Sequence, residues 1–219
     1  MSGDWIRADW PAPANIIAGT TLRSGNIAAV KLPGKPCWLN QVHGANVVAA
    51  ARYAAPPDAD ASVGMKPGDV CAVKTADCLP VLLCSTDGLE IGIAHAGWRG
   101  LAAGVVENTI AKMAHDPGDL LAWLGPAISQ PSFEVGDDVR EAFLMHDSGA
   151  QSCFVSNAKN RWQADLYALA RLRLKAAGVT DVYGGGLCTY SDKKRFFSYR
   201  RDADSGRMVS FVARDLVLK

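Results

Sequence analysis

Histidine is scarce in this chain, with four in 219 residues, so two of them in matching surroundings carry information. Charge imbalance is missing too. The formal charge is +1 and the pI is near 7.6, which gives no electrostatic basis for binding nucleic acid or an anionic membrane. No apolar run approaches the roughly 18 residues that a spanning helix requires. Met1-Ser2-Gly3-Asp4-Trp5-Ile6-Arg7 opens the chain without an apolar stretch of signal-peptide length. The cysteines (Cys37, Cys71, Cys78, Cys84, Cys153 and Cys188) form no CxxC pair and no tight disulfide spacing, which argues for a reduced, cytoplasmic protein. There is no repeat, low-complexity tract or linker. What remains is a chain, 49% hydrophobic, that can bury a sizeable core and reads as one domain over residues 1–219.

Short strands dominate the first half. Thr20 to Arg23 is a brief extended piece, Cys37 to His43 alternates between Pro36 and Gly44, and Asn46 to Ala51 and Ala59 to Val63 follow. Val70–Thr75, Leu79–Cys84 and Leu89–Ala94 are nearly continuous apolar runs, the pattern of strands covered on both faces. Apolar residues at Leu101, Val105, Ile110 and Met113 predict a helix from Gly100 to His115, stopped by Pro117-Gly118. Leu120–Leu124 is a strand. Asp137 to Met145 reads as a helix with acidic residues at its dipole-favoured start. Asp165 to Ala177 is the clearest helix, with Leu166, Leu169, Ala170 and Leu174 inward and Gly178 at its end. Val179–Tyr183, Phe196–Tyr199 and Met208–Ala213 are the closing strands. The expected fold class is α+β with mixed sheets.

His43, Cys78 and His95 each follow or end a short apolar run, where a strand hands its last side chain to a loop. Two imidazoles and a thiolate are a zinc-type ligand set that leaves a fourth position for water or substrate. Gly44 after His43, and Ala96-Gly97 after His95, are small enough to let another group approach. Asp77 beside Cys78 is placed to neutralise or orient a partner. His115 and His146 lack such settings and are expected to be solvated at the ends of polar helices. Cys37, Cys71, Cys84 and Cys153 read as packing residues.

Several segments closely resemble the YfiH family, also called the multicopper polyphenol oxidase or laccase domain family. They are Gln41-Val42-His43-Gly44, Thr75-Ala76-Asp77-Cys78-Leu79-Pro80 and His95-Ala96-Gly97-Trp98-Arg99-Gly100. Gly125-Pro126-Ala127-Ile128, Phe133-Glu134-Val135, Trp162 with Asp165-Leu166, Cys188-Thr189-Tyr190 and Phe196 to Asp202 match as well, in order. One departure is visible. Family members usually carry a longer, helix-containing segment before the Gln-x-His motif, whereas Thr21-Leu22-Arg23 is joined to Cys37-Trp38 here by a short Gly/Pro-containing stretch.

The resemblance implies a layered α/β/β/α arrangement built from duplicated β-α-β-β units. It also implies a zinc enzyme acting on purine nucleosides: phosphorolysis of adenosine, inosine, guanosine or methylthioadenosine, and deamination of adenosine. Carried over by motif, the zinc ligands are His43, Cys78 and His95. The laccase name implies copper, the second choice of metal, but several copper ions need more histidines than four. Arginine forks suit phosphate oxygens, which points to Arg99, Arg23, Arg200 and Arg201, with Gln41 beside them as a further substrate contact. Arg99 also precedes a predicted helix whose free N–H groups attract anions. Arg200 and Arg201 are adjacent in an extended stretch, so both cannot face one pocket. Asp77 and Glu134 are the candidate proton carriers, and Trp98, Phe196 and Tyr199 the candidate stacking rings. The H-x-E and P-C-x-x-C patterns of base deaminases are missing.

A second class uses the same residues. Cys78 with His43 or His95 is also a nucleophile–base pair for a metal-free hydrolase, for example one editing a cell-wall precursor. A plain binding protein gives no reason for three converging ligands. The expected partners are purine nucleosides and phosphate, with the protein a monomer or homodimer.

Overall fold

The apolar runs of the sequence become the central strands of two facing sheets. The computed structural model describes residues 4–216. In chain order the strands are β1 (Trp5–Arg7), β2 (Ile16–Thr21), β3 (Val47–Ala49), β4 (Ala61–Gly64), β5 (Val70–Thr75), β6 (Leu79–Ser85) and β7 (Ile91–Ala96). Helices α1 (Trp98–Ala102) and α2 (Val105–Lys112) come next, then β8 (Leu120–Leu124), β9 (Glu134–Val135) and α3 (Asp137–Leu144). The chain continues through β10 (Phe154–Ser156), β11 (Trp162–Ala164), α4 (Leu166–Ala176), β12 (Asp181–Gly184) and β13 (Met208–Arg214). The large sheet is ordered β12-β8-β6-β7-β4-β3 and the small one β1-β2-β13-β5, with β10-β11-β9 as a third. The pairs β3–β4 and β12–β8 are parallel and the others antiparallel.

Strand alternation distributes the core. Leu79, Val81 and Leu83 of β6 join Leu101, Val105, Ile110 and Leu174 on the helical side of the large sheet. Leu82 and Cys84 of β6, with Ile91 and Ile93 of β7, pack instead against Cys71 and Val73 of β5 in the small sheet. Both faces of β6 and β7 are therefore covered, which is why these strands have no polar face to alternate. The outer face of the small sheet presents Ala72 and Phe211, covered by Val30 with Ile27, Leu32 and Trp38. The architecture is α+β and layered as expected. Its outermost layer is residues 22–38, which hold a 3₁₀ turn, Ile27–Ala29, where an α-helix was implied.

Three expected elements differ. The helix predicted from Gly100 to His115 starts at Trp98 and is broken in two, because Gly104 takes the left-handed region at φ +89°. Cys37 to His43 forms only isolated bridges, Cys37 to Cys71 and Asn40 to Asp58. Further along, the Gln41 side-chain amide takes over the pairing with β5, accepting from Lys74 N at 2.8 Å and donating to Lys74 O at 2.9 Å. Phe196 to Tyr199 is a loop, not a strand, and its anchor is a carboxylate described below. The Asp165 helix forms as read, with the Asp165 side chain accepting from Ala168 N at 3.0 Å as its N-cap.

His115 is not simply solvated. The Glu90 carboxylate, fully buried, accepts from Ala114 N at 2.9 Å and His115 N at 3.2 Å, which ends the chain's helical run. The His115 ring bridges Glu90 through Nδ1 at 2.9 Å and Asp87 through Nε2 at 3.1 Å. The Glu90 hydrogen bond, helped by Asp87 and opposed by partial burial, holds His115 above its ordinary pKa. Because the folded value is raised, its contribution to stability is complete below the unfolded value of about 6.5 and is lost as pH rises through the folded one. The Tm difference between wild type and His115→Gln should therefore be larger at about pH 5.5 than at about pH 9. A difference that stays constant across this range would show that the bridge is not charge-dependent.

Candidate functional site

The three predicted ligands converge from the end of β7 and from two separate turns. In β7, Ile91 and Ile93 point between the sheets, so His95 continues that row and lies, 3% exposed, where the strand runs out. Cys78 sits in the turn between β5 and β6, beside Asp77, whose φ of +85° reverses the chain. His43 occupies the turn before β3 at φ +59°. One ligand atom from each of His43, Cys78 and His95 lies within 4.8 Å of the others. The two imidazoles meet edge to face, their centroids 4.9 Å apart and their planes at 68°. This donor set fits a tetrahedral N/S-binding metal with one position left open.

Asp60 holds this arrangement in place, and the sequence reading missed it. Its carboxylate is fully buried and accepts from three consecutive amides: Val42 N at 3.1 Å, His43 N at 3.0 Å and Gly44 N at 2.7 Å. Oδ1 also lies 2.7 Å from His95 Nδ1. The backbone of Asp60 adds a further tie, its carbonyl accepting from His95 N at 2.7 Å. Burial opposes ionisation of Asp60, but the bonds from His95, Gly44 and His43 outweigh it and hold the carboxyl below its ordinary pKa. The one available signal was a lone carboxylate inside the apolar run Ala59–Val63.

Electrostatically the site favours a thiolate. Burial pushes the Cys78 thiol up, but hydrogen bonds from His43 and His95 prevail and bring it down to about 6. Burial pushes His95 down, and its bonds to Asp60 and Cys78 raise it to about 9. Gly97 is required for this approach: a Cβ there would stand 2.8 Å from Cys78 Sγ and 3.5 Å from His43 Cδ2.

Asp77 borders the smaller lobe, and its carboxylate already serves three donors. Thr189 Oγ1 donates to it at 2.6 Å, Ser198 Oγ at 3.0 Å and Arg200 N at 2.7 Å. It fastens the segment 189–200 to the Cys78 turn and keeps Phe196–Tyr199 out of any sheet. Glu134 lies off the cleft, with its carboxylate bonded to Asn157 Nδ2 at 2.8 Å.

A cleft of about 540 Å³ opens over the ligands, lined also by Gln41, Lys74, Arg99, Tyr199 and Arg207. A second lobe of about 240 Å³ adds Trp98, Phe133 and Arg200. Arg99, at the start of α1, lines both lobes and lies 4.4 Å from the Trp98 ring centroid. Among the described residues it forms no salt bridge. Arg200 reaches the smaller lobe while donating to Glu134 O at 3.1 Å. Arg23 and Arg201 are elsewhere, in a separate pocket. Arg23 donates to Lys193 O at 2.7 Å, and Arg201 donates to Thr189 O, Tyr190 O and Phe196 O at 2.7–2.9 Å. Gln41 lines the cleft with its amide already paired to Lys74. Phe196 is fully buried, whereas Tyr199 is 57% exposed and lines both lobes. Lys74 and Arg207 are cleft cations that no motif marked.

Comparison with known proteins identifies the family. Residues 21–215 match the family model described as multi-copper polyphenol oxidoreductase laccase. Purine nucleoside phosphorylase YfiH of Escherichia coli (strain K12) is 52% identical, over 84% of this chain and 76% of that protein. Purine nucleoside phosphorylase PA4543 of Pseudomonas aeruginosa is 44% identical, over 95% of this chain and 97% of its own length. That alignment spans 238 residues against 219 in this chain, so the relative carries residues with no counterpart here. The crystal structure of Neisseria meningitidis protein NMB0706 superposes with a TM-score of 0.91 at 45% identity, covering 97% of this chain and 99% of that one. The family match, the relatives and the fold agree, and the chain belongs to the YfiH-type multi-copper polyphenol oxidoreductase laccase family.

Proposed function

We propose that this protein is a zinc-dependent purine nucleoside phosphorylase acting on adenosine, inosine, guanosine and methylthioadenosine. The observation that carries the proposal is the convergence of His43, Cys78 and His95 beneath a cleft bordered by Arg99. The names of the two curated relatives support it. In phosphorolysis an oxygen of hydrogen phosphate bonds to the sugar's anomeric carbon, the glycosidic C–N bond breaks, and the purine leaves with the proton that the phosphate gives up. His43, Cys78 and His95 would hold the metal, which when bound supplies Lewis acidity toward a substrate oxygen. Arg99 offers a guanidinium fork to phosphate. Lys74 and Arg207 add positive charge around it, and the exposed ring of Tyr199 is available to stack a purine.

Zinc is preferred to copper because His43, Cys78 and His95 are the one such donor cluster among the described residues, and a laccase-type centre needs several. Deamination of adenosine, the second activity that the family resemblance implies, makes a different demand. It requires an acid–base group beside the purine, whereas Asp77 is engaged by three donors and Glu134 lies off the cleft. One observation favours a second reading, a cysteine hydrolase: the Cys78 thiol, lowered to about 6, sits against two imidazoles.

Protein purified without added metal should contain about one zinc per chain, and Cys78→Ala should contain almost none. With adenosine and phosphate it should release adenine and ribose 1-phosphate. A strong chelator should abolish this turnover and added zinc restore it, with no adduct on Cys78 by intact mass. Activity that survives complete zinc removal would favour the thiolate nucleophile instead.

Arg99→Ala should raise the phosphate KM about 10–100-fold, the loss of one charge-assisted contact, with a smaller effect on the nucleoside KM. Equal effects on both would make Arg99 structural. Gly97→Ala should reduce zinc content with little change in far-UV circular dichroism, because the new methyl meets Cys78 Sγ. Wild-type zinc content in that variant would contradict the close approach.

A further inference from the structure

We propose that Asp60 is a positioning residue that sets the tautomer of His95, and through it which ring nitrogen is presented to the metal. This rests on the reading of His43, Cys78 and His95 as a metal site. An ionised carboxylate has about four acceptor directions and no donor. At Asp60 all four are used. Oδ1 takes His43 N at 3.0 Å and His95 Nδ1 at 2.7 Å, and Oδ2 takes Val42 N at 3.1 Å and Gly44 N at 2.7 Å. The carboxylate has no proton to give, so His95 Nδ1 must carry one. When the ring gives up a proton to bind a metal, Nδ1–H therefore stays and the lone pair appears on Nε2, the nitrogen turned away from Asp60. One buried group thus fixes both histidines, His43 by its turn and His95 by its tautomer. This is the outer-shell role that a carboxylate plays behind a ligating histidine.

Asparagine at position 60 separates this role from simple packing. Its NH₂ cannot sit at the Oδ2 position, where it would oppose the two amides of Val42 and Gly44. It therefore takes the Oδ1 position, at the cost of one conflict with His43 N, and donates to His95 Nδ1. The ring is then driven to carry its proton on Nε2, which blocks ligation. Aspartate and asparagine differ little in volume, so a purely steric role predicts no such change.

The test uses zinc alone as the probe and does not depend on phosphorolysis. Zinc affinity, measured by competition with a chromophoric chelator, should fall about 10–100-fold in Asp60→Asn. Long-range 1H–15N spectra of the zinc-loaded wild type should show His95 protonated on Nδ1. The neutral ring in the metal-free variant should carry its proton on Nε2. Unchanged affinity with a retained Nδ1 proton in Asp60→Asn would overturn the proposal while leaving the metal site standing. If Asp60→Asn does not fold, the zinc-loaded wild-type spectrum decides, and a ring there with its proton on Nε2 and none on Nδ1 overturns the proposal. A wild type that binds no zinc removes the metal reading and this inference together.

Discussion

The site depends on one buried carboxylate being worth more in place than in water. An isolated carboxylate taken out of water costs many kcal/mol and would ordinarily take up a proton. At Asp60 the three turn amides and the His95 ring replace the lost water, so burial and ionisation coexist. The same bonds explain how a turn with little packing of its own is held against the sheet. Removing one donor leaves a buried charge short of a partner, typically a cost of about 1–3 kcal/mol or more. The arrangement is therefore stiff in the direction that matters, the separation of His43 from His95.

A second carboxylate does similar work on the opposite rim. Asp77 takes a left-handed φ of +85° and gathers Thr189, Ser198 and Arg200 N, residues more than a hundred positions away in the chain. Strained non-glycine backbone of this kind costs about 1–3 kcal/mol and persists only where its surroundings over-determine it. His43 and Asp77 both show it, and both flank the cleft. The sheets supply the rigid part of the frame, since β6 and β7 are buried on both faces and end at Cys78 and His95. The loops bring what the strands cannot, a third ligand and the aromatic and cationic rim.

Much of this was legible in the residues. The paired apolar runs gave the central strands because burial on both faces suppresses alternation, and the Asp165 helix declared itself through its cap and stripe. The convergence of His43, Cys78 and His95 was legible because each sits in a compact motif next to small residues. Asp60 was not, because its partners are backbone amides, which leave no mark in a sequence. Arg23 and Arg201 illustrate the opposite failure. They lie in motif-like segments, but their guanidinium groups bind main-chain carbonyls and hold the loop rather than face the cleft. Residue type suggested phosphate, and the local chain geometry decided otherwise. The Cys37–His43 and Phe196–Tyr199 stretches looked like strands because extended chain and strand share one pattern, and side-chain anchors, not ladders, satisfy them here.

Cys78, His95 and Asp60 alone would have the order of a nucleophile, its base and an orienting carboxylate, the logic of a catalytic triad. The low thiol pKa serves that chemistry as well as it serves ligation, since both require the thiolate. His43 is the residue that separates the two. A triad has no use for a second imidazole on the same sulfur, and the exposed His43 adds nothing to the core. Yet three amides and a left-handed backbone are committed to placing it there. Strain held at a residue with no packing role is best explained by what its side chain does. A third donor atom completes a metal site, whereas it would only crowd a nucleophile already hemmed in by Gly97. The geometry of His43, more than the chemistry of Cys78, is what weights the site toward a bound metal.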